Sequence, residues 1–297
     1  MLKTTRKATF DWPGAGAPAT LRIARAGASV FTGMIYFLKN DGTPLTRAEL
    51  LSYIPSFEIK INQSVFSKIY MKDYLAMLEH LGGPNVSYNT ATGVLLYHFS
   101  EPWLNDIARK QGVAWTIDPR LNVVELEFQT SSQATDLAKP TYYSNQLDTV
   151  FNQSQAPVGI GAVTKWWNQH WAQQHDGEES LVNLKWSGRV QQIMFRRADG
   201  TSAFNSIRSL KIIKAGVEID FIVPERENLL QRFRNSSPNL TVSTTNCIIN
   251  FVKEGRPDIE SRVLATEQGT LDLVLDAVAG DYILTTLSLD VPDSERG

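Results

Sequence analysis

The chain has 297 residues, of which 42% are hydrophobic and 20% charged, with 29 Lys+Arg against 31 Asp+Glu for a formal net charge of −2. That length is about twice a typical domain of ~150 residues and predicts two domains, while the composition excludes disorder over most of the chain. The near-neutral charge speaks against binding to nucleic-acid phosphates, the single cysteine excludes an internal disulfide framework, and no run approaches the ~18 apolar residues of a membrane-spanning helix.

The N-terminus is basic through Lys3, Arg6 and Lys7 and leads to no apolar segment of the secretory kind. Residues 8–20, with Pro13 and Pro18 among Gly and Ala, read as part of an extended N-terminal arm covering 1–20. Ile35-Tyr36-Phe37-Leu38 then runs into Lys39-Asn40-Asp41-Gly42-Thr43, a turn signal of the Asp-Gly type. Phe57 to Ile61 alternates with period two, turns at Asn62-Gln63-Ser64 and returns through Val65 to Tyr70. Lys72 to Leu81 forms a helix closed by Gly82-Gly83-Pro84. Strands follow at Val94–Phe99 and Leu121–Phe128. Residues 131–160 are rich in Ser, Gln, Asn and Thr and read as a linker, held against the protein by Tyr142, Tyr143 and Phe151.

Beyond the linker the signals recur. Ile193 to Thr201 repeats the apolar run and Asp-Gly-Thr at an offset of 158 from residues 35–43. Leu210 to Ile213 and Val217 to Val223 form a second hairpin around Lys214-Ala215-Gly216, and Glu225 to Phe233 a second helix opened by Pro224. Cys247–Val252, Leu271–Leu275 and Tyr282–Leu289 complete the strands. From the hairpin onward an ungapped offset of 152 pairs Ile61 with Ile213, Val65 with Val217, and Tyr97 with Ile249. The extra residues of the first half fall between Pro44 and Ser52. A domain duplication accounts for both offsets, and many short strands without a βαβ rhythm predict sandwiches or barrels.

No residue set assembles a recognisable catalytic centre. His170 and His175 are five residues apart, on neither one helix face nor one strand face, and read as surface histidines. His98 alternates with Tyr97 and Phe99 and is expected to be exposed on one sheet face. Cys247 opens a strand beside Ile248 and reads as a small core residue. Gly159-Ile160-Gly161 lacks the third glycine and the preceding strand of a dinucleotide fingerprint. Glu125 and Glu127 share one side of a strand, which is either a solvent face or the carboxylate pair of a glycan-cleaving site. Asp272 and Asp276, near Asp281, are the one place where a structural divalent cation is conceivable; no other cofactor is implied. Trp166, Trp167 and Trp171 cluster at the start of the second half and are expected in a subunit interface or core.

The segment Ser56 to Ile69, the helix with Tyr74, Leu75, Leu78 and Gly82, and the strand Thr92 to Phe99 together resemble the corticovirus-type major coat protein, in which a strand, a hairpin, a second strand and a leucine-bearing helix occur in that order. Ile207 to Phe233 repeats the pattern, with Gly216 supplying the hairpin glycine that Gln63-Ser64 lacks in the first copy. The family is that of the double jelly-roll major capsid proteins of tailless icosahedral phages with an internal membrane.

The resemblance implies an all-β chain of two tandem eight-stranded jelly rolls, each with one short helix, at residues 21–130 and 161–292, followed by a tail at 293–297. It also implies a structural, non-enzymatic role in the virion, with assembly in the host cytoplasm. Three chains would form a pseudo-hexameric trimer contacting neighbouring trimers, penton and minor capsid proteins and an internal lipid membrane, with no direct nucleic-acid contact. Lys3, Arg6 and Lys7 would then face lipid headgroups or tie trimers together, and removing residues 1–15 would impair assembly but leave trimers folded. The alternatives are a carbohydrate-binding or glycan-cleaving double jelly roll and an accessory virion spike.

Overall fold

In the computed structural model the described residues are 2–4, 8–23, 29–82, 87–99, 115–116, 123–147, 163–181, 189–214, 216–226, 245–250, 264–265 and 271–290. The chain divides into a first unit of residues 1–79, 84–164 and 290–297 and a second of residues 80–83 and 165–289.

The first unit runs β1 (Leu2–Thr4), β2 (Ala8–Thr9), β3 (Ala19–Arg22), β4 (Ser29–Tyr36), α1 (Arg47–Tyr53), β5 (Ser56–Ile61), β6 (Ser64–Tyr70), α2 (Met71–Gly82), β7 (Tyr88–Asn89), β8 (Val94–His98), β9 (Trp115–Thr116), β10 (Val124–Gln129) and β11 (Thr141–Leu147). One sheet has the order β1-β11-β4-β8-β7, with β2 also on β11 and β9 on β4; in the other, β6, β5, β10 and β3 lie side by side. Lettering the principal strands B to I along the chain, this is B-I-D-G packed on C-H-E-F, the strand order of a jelly roll.

The second unit runs β12 (Val163–Gln173), β13 (Gly177–Leu181), β14 (Arg189–Arg197), α3 (Ala203–Ser206), β15 (Ile207–Lys214), β16 (Val217–Ile222), β17 (Cys247–Asn250), β18 (Leu264–Ala265), β19 (Leu271–Ala277) and β20 (Gly280–Asp290). Its strands order as β12-β20-β14-β17 and β13-β19-β15-β16, again B-I-D-G and C-H-E-F. The expectation of two eight-stranded jelly rolls therefore holds strand for strand, while that of one short helix in each does not, since the first unit carries both α1 and α2.

The E-F hairpins show how closely the copies agree. In the first, Ile61 pairs with Ser64 and Lys60 with Val65, and Phe66 bulges before Ile59 meets Ser67. In the second, Lys214 pairs with Val217 and Ile213 with Glu218, and Ile219 bulges before Ile212 meets Asp220. The true offset here is 153, one more than the apolar register gave. It places Phe57 on Leu210 and Ile59 on Ile212, all four buried, whereas a one-residue slip would exchange the faces of the strand. The same offset carries the start of α2 at Met71 to the helical residues 224–226. Residues 227–233 of the predicted second helix lie outside the described residues. At the G strand the pairs Ile35–Leu95 and Ile193–Ile249 set an offset of 154.

The first hairpin turns without glycine. Asn62 and Gln63 both have positive φ, 52° and 70°, as a two-residue type I′ turn requires. Asn62 pays the lower penalty of a residue that tolerates this region, and it is held there because its Oδ1 accepts from Val123 N–H (2.8 Å) while its own N–H donates to Val123 O (2.9 Å).

The arm and linker are corrected. Leu2–Thr4 and Ala8–Thr9 pair with β11 as the B edge of the first jelly roll, and Phe10 and Trp12 are buried. Within the expected linker, β11 is the strand between β1 and β4, with Tyr142 and Ser144 facing the core. Residues 148–162 and the tail at 293–297 lie outside the described residues.

The first core is aromatic. Phe57 lies 5.2–5.5 Å from the rings of Tyr74, Tyr97 and Phe128, and Phe10 and Phe37 meet Phe128 edge-on. Burial pushes the Tyr74 and Tyr97 phenols well above their ordinary range. The second core is mainly aliphatic, built on Val190, Ile193, Leu210, Ile212, Leu273 and Leu275.

Gly33, in mid-strand β4, leaves room for a tyrosine. A Cβ there would stand 2.6 Å from Tyr142 Cε2 and 3.1 Å from Phe99 Cε2. Gly33→Ala is expected to lose about 1–3 kcal/mol through overpacking; urea denaturation reads this directly, and an unchanged midpoint would contradict the packing described.

Candidate functional site

The two Asp-Gly-Thr loops share one geometry. Asp41 Oδ1 accepts from Thr43 N–H (2.9 Å) and Thr43 Oγ1 (2.7 Å), and Asp199 Oδ1 accepts from Thr201 N–H (2.9 Å) and Thr201 Oγ1 (2.7 Å). Gly42 and Gly200 take the left-handed conformation at φ 85° and 81°. A short helix follows each loop, capped by Thr46 in α1 and Ser202 in α3. Glu49 closes the α1 capping box and also receives Lys39 Nζ at 2.6 Å. Lys39 and Thr46 together hold its carboxyl down at about 2. These are structural devices that fix the D-E connections.

The outer C-H-E-F faces are charged in both units. In the first, Lys60 Nζ meets Glu127 at 2.6 Å and Lys68 Nζ meets Glu58 at 2.9 Å, relieving the Glu58–Glu127 pair that the register sets opposite each other. In the second, Lys211 meets Glu178 and Arg208 meets Asp276, both at 2.6 Å.

Two of the carboxylates considered for chemistry, Glu127 and Asp276, are engaged in surface ion pairs. Glu127 is taken up by Lys60 and Gln129, and Glu125 is set opposite Lys60 and Arg22 by register. Asp276 is paired with Arg208, while Asp272 and Asp281 are exposed. Among the described residues, no group of three or more His, Cys, Asp or Glu side chains converges as metal ligands do.

His170 and His175 are exposed and Cys247 is buried, as expected. His98 is buried rather than exposed. Its N–H donates to Tyr74 Oη (3.3 Å) and its carbonyl accepts from Thr164 Oγ1 (3.3 Å).

The tryptophans lie along β12. Trp166 is buried, Trp167 is half-buried with Lys165 Nζ 5.8 Å from its ring centroid, and Trp171 packs against the second core. Lys3 pairs through its backbone with Gln146; Arg6, Lys7 and residues 159–161 lie outside the described residues.

The outer B-I-D-G face differs from the charged faces. In the first unit the register sets two rows across β11, β4 and β8: Thr141–Tyr36–Val94 and Tyr143–Met34–Leu96. All six are half-buried, and Tyr36 and Tyr143 meet edge-on at 5.3 Å. The corresponding rows of the second unit are Thr285–Met194–Ile248 and Leu287–Gln192–Asn250. There Thr285, Met194 and Leu287 are 0% exposed, Gln192 1% and Ile248 4%. The unbroken apolar runs Met34 to Leu38 and Val94 to Tyr97 are the sequence signal of this face, since they put apolar side chains on both sides of the strands rather than one.

Two jelly rolls in tandem, B-I-D-G on C-H-E-F in each, make the chain a double jelly roll, a fold it shares with solved viral capsid proteins. It is similar along its whole length to the major capsid protein P2 from bacteriophage PM2, at a TM-score of 0.73 and 15% identity over 100% of both chains. It is also similar to VP54 of PBCV-1, as fitted into a reconstruction of the virophage Sputnik (TM-score 0.63, 12% identity, 99% of this chain and 95% of that one). The STIV capsid protein matches at a TM-score of 0.63 and 9% identity over 99% and 98%. No protein-family model matches the chain, and no curated protein matches it in sequence. At these identities the likeness establishes the fold.

Proposed function

We propose that the chain is a major capsid protein: a structural protein whose copies tile an icosahedral shell. The observation that carries this reading is the strand-for-strand duplication of the jelly roll through the whole chain, matched end to end by P2 of bacteriophage PM2. A duplicated chain presents two similar edges, so three copies can fill a six-sided site that a single jelly roll would need six copies to fill. In this reading the trimer is the building block, its neighbours are further trimers and the penton and minor capsid proteins, and the shell encloses a lipid membrane that separates it from the genome. The basic N-terminal residues Lys3, Arg6 and Lys7 would meet lipid headgroups or adjoining trimers, and the protein would be found in the virion after assembly in the host cytoplasm.

The test is light scattering on the purified full chain, followed by negative-stain imaging. A mass of three chains with a hexagonal outline is expected. A chain that stays monomeric at every concentration and salt condition overturns the proposal.

A further inference from the structure

We infer that Thr43 and Thr201 protect the chain chemically: each shields the Asp-Gly bond before it, Asp41–Gly42 or Asp199–Gly200, from spontaneous conversion to isoaspartate. The inference goes beyond the capsid reading, and its failure would leave that reading untouched.

The sequence sets the bond at risk. In an Asp-Gly pair the glycine nitrogen can attack Cγ of the aspartate side chain without hindrance from a Cβ. A C–N bond forms, the C–OH bond of the protonated carboxyl breaks, and the hydroxyl leaves with the amide proton as water. Water then adds to the five-membered imide. When the C–N bond that breaks is the one to the original main-chain carbonyl, the chain continues through the side-chain carboxyl and is longer by one methylene. Nothing is oxidised or reduced, and water is the only co-reactant.

Both loops leave this reaction open on every count but one. Asp41, Gly42, Asp199 and Gly200 are exposed, and a Cβ on either glycine would meet nothing within 4 Å among the described residues. Neither crowding nor exclusion of water opposes the imide. The state of the carboxyl does. Only the protonated carboxyl can lose its hydroxyl, and in both loops Oδ1 accepts two hydrogen bonds that favour the charged form, from the threonine N–H at 2.9 Å and Oγ1 at 2.7 Å. At Asp41 the Thr43 hydroxyl is the leading cause that holds the carboxyl below its ordinary range. At Asp199 the guanidinium of Arg197 leads, with Nη2 3.0 Å from Oδ2, and Thr201 follows. A third pair, Asp176–Gly177, is followed by Glu178 instead of threonine, and Asp176 Oδ1 accepts from Ala279 N–H (2.7 Å). It serves as a reference within the same chain.

The test ages the purified full chain at neutral pH as wild type, Thr43→Val, Thr43→Ser and Thr201→Val. Isoaspartate at each Asp-Gly bond is read by electron-transfer fragmentation of the derived peptides. Thr43→Val keeps the N–H and the shape but removes the hydroxyl, and isoaspartate at Asp41 is expected to form about tenfold faster, the scale of one hydrogen bond to a charged group. Thr43→Ser restores the hydroxyl and is expected to keep the wild-type rate. Thr201→Val is expected to act more weakly at Asp199, where Arg197 remains. Asp176–Gly177 is expected to age alike in every variant.

A Thr43→Val rate equal to wild type overturns the inference, as does a Thr43→Ser rate as fast as that of Thr43→Val. A slower Thr43→Val rate also overturns it, because the hydroxyl would then be assisting the tetrahedral adduct as an oxyanion donor. An equal rise at Asp176 would trace the change to a loosened chain, and a larger effect at Asp199 than at Asp41 would contradict the order of the two carboxyl environments; either result overturns the assignment.

Discussion

Removal of residues 1–15 is expected to unfold the first unit, not merely to weaken assembly. Leu2–Thr4 and Ala8–Thr9 form the B edge against β11, Phe10 is 1% exposed and Trp12 7%. Phe10 packs on Phe128 at 5.3 Å and donates its N–H to Pro140 O, while the Trp12 indole donates to Thr130 Oγ1 (3.3 Å). Losing a buried Phe or Trp side chain costs about 3–5 kcal/mol. The two together approach the ~5–15 kcal/mol that holds a typical domain folded, before the exposed edge of β11 is counted. Calorimetry and near-UV circular dichroism on the truncated chain should show a lost or strongly lowered transition. A truncated protein melting within a few degrees of the full chain would show that these residues are dispensable to the fold.

Phe57→Ala is expected to destabilise the first unit by about 3–5 kcal/mol, lowering its melting midpoint by about 10 °C. Phe57 is the ring on which the C-H-E-F sheet, α2 and the facing sheet converge, through Phe128, Tyr74 and Tyr97. Its removal leaves a cavity bounded by rigid rings with little freedom to collapse into it. Val65→Ala is the matched comparison on the same hairpin; Val65 is 40% exposed, and a shift below about 1 °C is expected. Thermal melts that rank the two equally would contradict the placement of the core.

The duplication was legible because its clearest sign is chemical. Asp-Gly-Thr recurs at 158 residues, and both loops use the same aspartate oxygen for the same two threonine donors. The register of the E and G strands was not legible from apolarity alone. Ile212-Ile213 and Ile248-Ile249 place hydrophobic side chains on both faces, so the sequence tolerates slips of one residue at the E strand and two at the G strand. The turn and its bulge fix the alignment at the E strand, and the pairing with β4 and β14 fixes it at the G strand.

β11 was hidden for the opposite reason. Thr141-Tyr142-Tyr143-Ser144-Asn145 is polar enough to pass for linker, yet Ser144 is 1% exposed and Tyr142 fills the space that Gly33 leaves. The N-terminal residues hid behind proline and glycine, although Phe10 and Trp12 in their midst signalled burial. The apolar outer face is hard to see in the sequence because period-two alternation marks only one buried side of a strand.

The D-E connections carry a different message. Between Asp-Gly-Thr and the E strand, one copy holds a helix of seven residues and the other a helix of four, and both still deliver equivalent hairpins. The connection has thus already absorbed a change of length without cost to the sandwich, as the slow growth of loop-closure entropy allows. Asp41, Gly42 and Thr43, with Asp199, Gly200 and Thr201, are exposed. A foreign peptide grafted at those tips is expected to leave both sandwiches folded and to be carried twice per chain.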